Sequence, residues 1–408
     1  MLESLSFRNY KSLHDVSIRP PRFFALVGAN AAGKTNFVDA IEFLSIVAKS
    51  GLASAITEKG GYENICFRRQ RRSKGAICLG CTFDLTDLRR FPFRITLNFT
   101  FRAGREAIRA EYEVEREELT LEISREERIT PCLDIRREGK RVEFKTYPRF
   151  EQESFPVPKK LLEQLFARSD SVLRGDDLLL WTQLRGLPPF AQFLERLGQC
   201  RVFQISPAAA RKSGATSGNQ ELGKYGDNLP AAIEWLRRER TKMGAELLEY
   251  IRLAVPTVEK LETDYVETRE LGLFLKESGM RRRMFSSELS DGTLRTLAMF
   301  LPLVDPRYPV VVIEEPENNV HPWVVRHFVD ACRSRSQQKQ IILTTHSPVL
   351  VSKLKPAELY VADRVDGETR IYPASEANAE VDTIIRRGIQ DLGSYWDSGA
   401  MKAVPAAP

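Results

Sequence analysis

The chain has 408 residues, 42% hydrophobic and 28% charged, with 61 Lys and Arg against 55 Asp and Glu, a formal net charge of +6. This composition is ordinary for a protein with a real core and excludes intrinsic disorder, a disulfide miniprotein and a collagen-like repeat. The charge is too small for this length to announce a nucleic-acid partner, and permits one only where basic residues cluster.

In chain order, Leu2, Leu5, Phe7 and Tyr10 mark an amphipathic strand. FFALV at 23–27 is a short apolar run suited to a strand buried on both faces. Residues 28–33 form a glycine-containing loop, and from Lys34 the spacing of Phe37, Ile41 and Leu44 is helical. From about 76 to 145 the pattern is strand-like, clearest in ITLNFTF at 95–101 and RVEFK at 141–145. Tyr112, Val114, Leu119, Leu121 and Ile123 mostly alternate, so the charged stretch around them reads as solvated antiparallel strands, not a coiled coil. Helices are expected within 159–200 and over 229–254, the second opened by Asp227 or Asn228. The Ser-, Gly-, Lys- and Asn-rich segment 211–226 between them reads as a mobile loop or linker. Two or three strands at 258–285 turn near Gly279. A helix from Ser290, a strand at 310–313, a helix from about Trp323 and a strand at 341–344 follow, and the tail from Leu359 offers a hairpin and a final helix.

Residues 28–35 read GANAAGKT, matching G-x-x-x-x-G-K-[ST] between an apolar strand and a helix. Glycines let the backbone wrap and point N–H groups inward as a nest for phosphate oxygens, with the helix dipole behind them. Asn30, Gly33, Lys34, Thr35 and Asn36 are the expected nucleotide-binding residues. Lys34 reaches the β- and γ-phosphates, and the Thr35 hydroxyl sits on Mg²⁺.

VVVIEEPENNVHP at 310–322 is an apolar strand ending in two acids, costly unless something needs them at its carboxyl tip, where ligands bind in open parallel sheets. Glu314 is placed on the hydration shell of Mg²⁺, and Glu315 is placed to orient and deprotonate the attacking water. IILTTHSP at 341–348 puts His346 at another strand tip, where it can hydrogen-bond a γ-phosphate or that water. SSELSDGTLRTLAMF at 286–300 reads as a capped helix start, with Ser290 as N-cap and Gly292 allowing close approach to an anion. Taken alone, the segment is better explained as an ordinary N-cap.

These four motifs, in this order, resemble the ABC-type ATPase head of the RecF/Rad50/SMC clan and, within it, the compact prokaryotic AAA-type ATPases. The opening LESLSFRNYKSLHDVSI and the loop GANAAGKTNFVDAI are typical of that clan. LSDGTLR resembles its signature motif, with Asp291 where the transporter version has Gly. VVVIEEPENNVHP resembles Walker B, catalytic glutamate and D-loop, and TTHSP the switch histidine. The C-terminal LGSYWDSGAM resembles the ending of the compact members. The likeness covers roughly 1–50 and 285–400, the middle matching only in general character.

The resemblance implies an α/β P-loop NTPase with a mixed sheet, an antiparallel β lobe and an inserted helical lobe. It implies an N-terminal ATPase lobe at 1–150, a helical insertion at 151–257 and a C-terminal ATPase lobe at 258–408. It also implies ATP and Mg²⁺ as cofactors and a head-to-tail dimer or larger assembly, with Ser290 and Gly292 acting on the ATP of the other subunit. Long paired heptads, a zinc-hook CxxC and room for an appended Toprim nuclease are all missing, so a switch serving a separate effector protein is expected. The inserted strands and the FRNYKSL opening fit the DNA-repair branch better than a membrane-transporter subunit.

Five positive charges, Arg68, Arg69, Arg71, Arg72 and Lys74, fall within seven positions, and Arg281–Arg283 is a second, shorter run. Either can neutralise backbone phosphates without sequence preference, and no aromatic ladder suggests single-strand stacking. The leading reading is therefore an ATPase switch linked to DNA, in anti-phage defence or repair. The alternative is a slow-turnover, ATP-gated scaffold indifferent to nucleic acid. Six scattered cysteines, the lack of an 18-residue apolar run and the lack of an apolar h-region point to the cytoplasm and away from membranes.

Overall fold

The protein is described from a computed structural model, which covers every residue except 68–74, 87–91, 105–111, 126–127, 149, 151–158, 168–178, 180–183, 217, 268, 378–390 and 399–408. The chain divides into two compact units. The first comprises Met1–Pro21, Ala31–Cys200 and Ala362–Tyr372, and the second Arg22–Asn30, Arg201–Val361 and Pro373–Pro408.

The first unit holds a seven-stranded antiparallel sheet. Its strands are β1 (Leu2–Tyr10), β2 (Leu13–Ile18), β4 (Ile77–Asp84), β5 (Phe93–Ala103), β6 (Tyr112–Arg125), β7 (Arg128–Glu138) and β8 (Arg141–Thr146), in the order β2-β1-β4-β5-β6-β7-β8. The alternation of β6 changes phase where Thr100 pairs Arg116 but Phe101 pairs Val114, a bulge that inserts one residue. The shift turns Glu117 inward opposite Arg137, and the two meet at 3.0 Å fully buried. Burying either without the other costs about 3–5 kcal/mol. The apolar face receives the helix Lys34–Ser50 through aromatic contacts, Phe7 on Phe37 at 5.8 Å and Tyr10 on Phe43 at 5.5 Å.

The second unit holds parallel strands β3 (Phe23–Val27), β14 (Val310–Glu314) and β15 (Gln340–Thr345), with β15 in the middle. Every residue of the three is buried, which explains the apolar runs FFALV, VVVI and IIL at their centres. β9 (Cys200–Phe203) lies beside β14, and β16 (Leu359–Val365) lies beside β3 before turning back as β17 (Glu368–Pro373). A smaller sheet joins β10 (Gly214–Ala215), β11 (Val258–Glu267), β12 (Glu270–Glu277) and β13 (Met284–Phe285).

Behind the parallel strands the helix Asp291–Val304 is almost wholly buried, with Phe300 stacked on Tyr250 at 4.5 Å and edge-on to Phe328 at 5.2 Å. Its C-terminus is capped by Lys339, whose Nζ donates to the carbonyls of Pro302, at 2.9 Å, and Asp305. Burial pushes the Lys339 pKa down from 10.5 to about 7, although Asp305 opposes the shift. Between those values the unfolded chain holds a proton that the native state has shed, so this group makes stability rise with pH. Lys339→Met is therefore expected to flatten the pH dependence of urea unfolding between pH 7 and 10, by up to about 1.4 kcal/mol per unit. Identical slopes for the two proteins would refute this.

In the segment expected as a mobile loop or linker at 211–226, the described residues 219–225 are instead tied down. Lys224 and Tyr225 carbonyls accept from Gln204 and Ser206, at 2.8 and 2.9 Å, and Asn228 donates to Asn219 and Glu221. Asn228 does precede the helix Leu229–Glu239, but its side chain serves this loop and does not cap the helix. All six cysteines are free thiols, and among the described residues no helix is long and apolar enough to cross a membrane.

Candidate functional site

The second unit aligns three strand tips. Thr344 lies level with Leu26 of β3 on one side and with Glu314 of β14 on the other. Because the strands are parallel, residues 28–30, Glu314–Glu315 and His346 all emerge at one carboxyl edge of the sheet, the edge where such sheets bind ligands. Glu314 is buried at 7% exposure.

Glu315 ends the strand with φ = +44°, a left-handed conformation that costs a non-glycine residue about 1–2 kcal/mol. Backbone hydrogen bonds hold it there, including one from Asn318 N to its carbonyl at 3.3 Å. Its N–H donates to the Thr344 carbonyl at 2.9 Å, and its carbonyl accepts from Arg295 Nη2 at 2.8 Å. Asn318 Nδ2 donates to Glu315 Oε2 at 2.8 Å, and His346 Nδ1 lies 3.3 Å from Oε1. The carboxylate and the imidazole are thus adjacent, half-exposed and oriented by separate groups. That arrangement can receive a proton from a water and hold the ring beside it.

Ser290 caps the helix Asp291–Val304, its Oγ accepting from Thr293 N at 3.1 Å. Gly292 sits where an added Cβ would lie 3.3 Å from the Asn319 carbonyl, so the helix start is pressed against the loop after β14. Arg295, on the same helix, reaches the Glu315 carbonyl. Ser290, Gly292, Glu315 and His346 therefore belong to one connected neighbourhood.

Sequence reasoning missed Glu317. It accepts from Thr345 Oγ1, which in turn accepts from Ser347 N at 2.9 Å, tying the loop after β14 to the loop carrying His346. Burial raises its pKa against that hydrogen bond, and Glu317 Oε2 is buried without a hydrogen-bond partner. The only available signal was a third acid in EEPE, which charge alone does not distinguish from a surface residue.

The first unit carries the rest of the loop. Gly33 adopts φ = +102°, and the helix Lys34–Ser50 begins immediately after it, with Lys34 buried and Thr35 exposed. Three residues outside the motif brace the turn. Thr369 Oγ1 donates to the Ala32 carbonyl at 3.0 Å and lies 2.7 Å from Ser12 Oγ. Asn36 Nδ2 donates to Ser12 Oγ at 2.6 Å, and Arg364 Nη1 reaches the Ala31 carbonyl at 3.3 Å. Further along that helix Asp39 accepts from Tyr10, at 2.7 Å, and from Lys11 and Lys59. Burial alone would raise the Asp39 pKa, but hydrogen bonds from the two lysines outweigh it and hold the carboxyl below its ordinary value. An open pocket of about 430 Å³ adjoins Asn36, lined also by Lys11, Ser12, Asn64, Phe67 and Arg364.

In the second unit Glu314 offers only oxygen donors, and with the unpartnered Glu317 Oε2 in the loop that follows it suits a hard cation such as Mg²⁺; in the first unit Thr35 offers a hydroxyl oxygen. Arg68, Arg69, Arg71 and Arg72 lie outside the described residues. In the second basic run Arg282 pairs with Glu288 at 2.7 Å, and Arg283 with Asp264 at 2.6 Å and with Glu262. These two arginines are thus engaged with acids of their own surface.

Among solved structures the chain is similar to an Smc head bound to the C-winged helix domain of ScpA, with 14% identity, TM-score 0.50, and 91% of this chain and 96% of that one covered. It is also similar to the Pyrococcus furiosus Smc head domain with an extended coiled coil bound to the C-terminal domain of ScpA. There the identity is 15%, the TM-score 0.47, and 95% and 99% of the two chains are covered. At such identities the first likeness bears on the fold alone and the second adds nothing to it. A search of curated proteins found no match. The family described as "AAA domain, putative AbiEii toxin, Type IV TA system" matches residues 23–156 and 191–352, reaching well into the middle of the chain. With most of its length matched and an SMC-head-like fold, the chain belongs to that family, as an ATPase head of the AAA type.

Proposed function

We propose that the protein is an ATP-hydrolysing switch whose ATP site is completed by the signature helix of a second copy. The observation that carries this reading is the alignment of the tips of β3, β15 and β14, which brings the start of the phosphate loop, His346 and the Glu314–Glu315 pair to one edge. ATP phosphates are bound by the backbone of residues 28–35 and by Lys34, with the nucleoside in the pocket beside Asn36. Thr35 and Glu314 would hold Mg²⁺, which would supply neutralisation of phosphate charge. Glu315 takes the proton of the attacking water, whose oxygen bonds to the γ-phosphorus as the bond to the ADP oxygen breaks. His346 holds that water or the γ-phosphate in line.

Ser290 and Gly292 present their helix start to the ATP of the other copy, so binding favours association and hydrolysis releases it. The cluster Arg68–Lys74 contacts DNA backbone, and a separate effector protein reads the open or closed state.

Phosphate release with and without duplex DNA tests this. Lys34→Ala is expected to weaken ATP binding by about 10²-fold. Arg68→Glu with Arg69→Glu is expected to abolish stimulation by DNA while leaving the unstimulated rate. ATP binding and hydrolysis unchanged in Lys34→Ala would remove residues 28–35 from the ATP site. A wild-type rate indifferent to DNA would sink the DNA link and favour the gated scaffold.

A further inference from the structure

Arg211 lies in the segment whose composition suggests a linker, yet it is engaged by the start of the signature helix. Its Nη1 donates to three carbonyls of the entering loop, Ser286 at 2.9 Å, Ser287 at 3.0 Å and Leu289 at 2.9 Å. Its Nη2 pairs with Asp291, and its own carbonyl accepts from Ser286 Oγ at 2.8 Å. Three carbonyl dipoles pointing at one spot repel unless a cation sits there, and a planar guanidinium supplies both the charge and the fork of donors.

Asp291 makes a second demand. It is the first residue of the helix and 61% exposed, so its carboxylate stands where an incoming anion would meet the helix terminus. An acid there favours the isolated helix but repels phosphate. Asp291 stands where the transporter signature has glycine, and the guanidinium of Arg211 pairs with its carboxylate.

We infer that Arg211 is a positioning residue for the signature turn, fixing the approach to Ser290 and neutralising Asp291 so that this helix start can receive the γ-phosphate bound by a second copy. The inference rests on the reading that Ser290 and Gly292 act between copies.

The test uses the full chain carrying Glu315→Gln, with mant-ATP fluorescence for nucleotide binding and sedimentation velocity for association with ATP. Adding Arg211→Ala is expected to leave mant-ATP affinity within about twofold and weaken ATP-dependent association at least about tenfold. Adding Asp291→Gly to that protein is expected to recover at least about threefold, because the repelling charge is gone. Rescue by deletion of an acid separates this role from a general loss of structure. Arg211→Lys keeps the charge without the fork and is expected to lose less, which provides a milder variant if alanine disturbs folding. Association as tight as the parent's in both Arg211 variants, or a loss that Asp291→Gly leaves untouched, overturns the inference alone. A parent that does not associate with ATP overturns the reading between copies and this inference with it.

Discussion

Glu315→Gln is expected to lower the rate of ATP hydrolysis by about 10²–10⁴-fold, the range for removing a general base, while ATP still binds. The substitution changes one oxygen to an amide nitrogen and leaves the volume of the side chain. The amide oxygen still accepts from Asn318, and the NH₂ then faces His346, whose Nδ1 must become the acceptor. The backbone at φ = +44° remains held through the Thr344 and Arg295 hydrogen bonds, neither of which uses the side chain. Only the capacity to take a proton is lost. With hydrolysis blocked, ATP-driven association is expected to persist, and gel filtration with ATP should show a larger species that outlasts the wild-type one. A turnover within about tenfold of wild type would remove Glu315 from the role of base.

The second large effect is expected at the other end of the chemistry, where Gly33→Ala should destroy nucleotide binding and lower the melting temperature. An added Cβ would lie 2.0 Å from Thr369 Oγ1 and 2.9 Å from its Cβ. Thr369 has little room to withdraw. It is 2% exposed, bonded through its side chain to Ser12 and Ala32 and through its N–H to the Ser12 carbonyl at 2.8 Å. The backbone at φ = +102° adds strain for any L side chain. Overpacking and strain together amount to about 2–5 kcal/mol. Pairing Gly33→Ala with Thr369→Gly removes the collision but not the strain, so the double mutant should regain about 1–3 kcal/mol in a mutant cycle. Full additivity in that cycle would mean that the loop does not meet Thr369 as described.

What the sequence made legible was local chemistry at strand and helix ends. GANAAGKT, EEPENN and TTHSP each sit where period-2 or continuous apolar runs stop, so both the element and its tip could be read together. Ser290 was legible because a cap acts three residues away, on Thr293. The groups that escaped act across distance. Thr369 reaches Ala32 over 337 positions, and Arg211 reaches Asp291 over 80. Neither interaction leaves a periodicity. The alternation of β6 was read correctly in spite of its phase change, but the bulge that causes the change, and the buried Glu117–Arg137 pair it creates, belong to pairing with neighbouring strands. Lys339 looked like any surface lysine until its carbonyl partners at the end of a helix were placed.

The brace on the phosphate loop has an implication for biosynthesis. Ser12, Ala31 and Ala32 are made early, but Thr369, which clamps Ser12 and Ala32, and Arg364, which reaches Ala31, follow 357, 337 and 333 positions after their partners. A nascent chain, or one cut short before residue 364, holds GANAAGKT without the side chains that set its curvature. Contacts of such long range also form late in folding, since loop closure must precede them. The phosphate loop thus takes its described curvature only once the chain has been made as far as residue 369 and has folded back on itself.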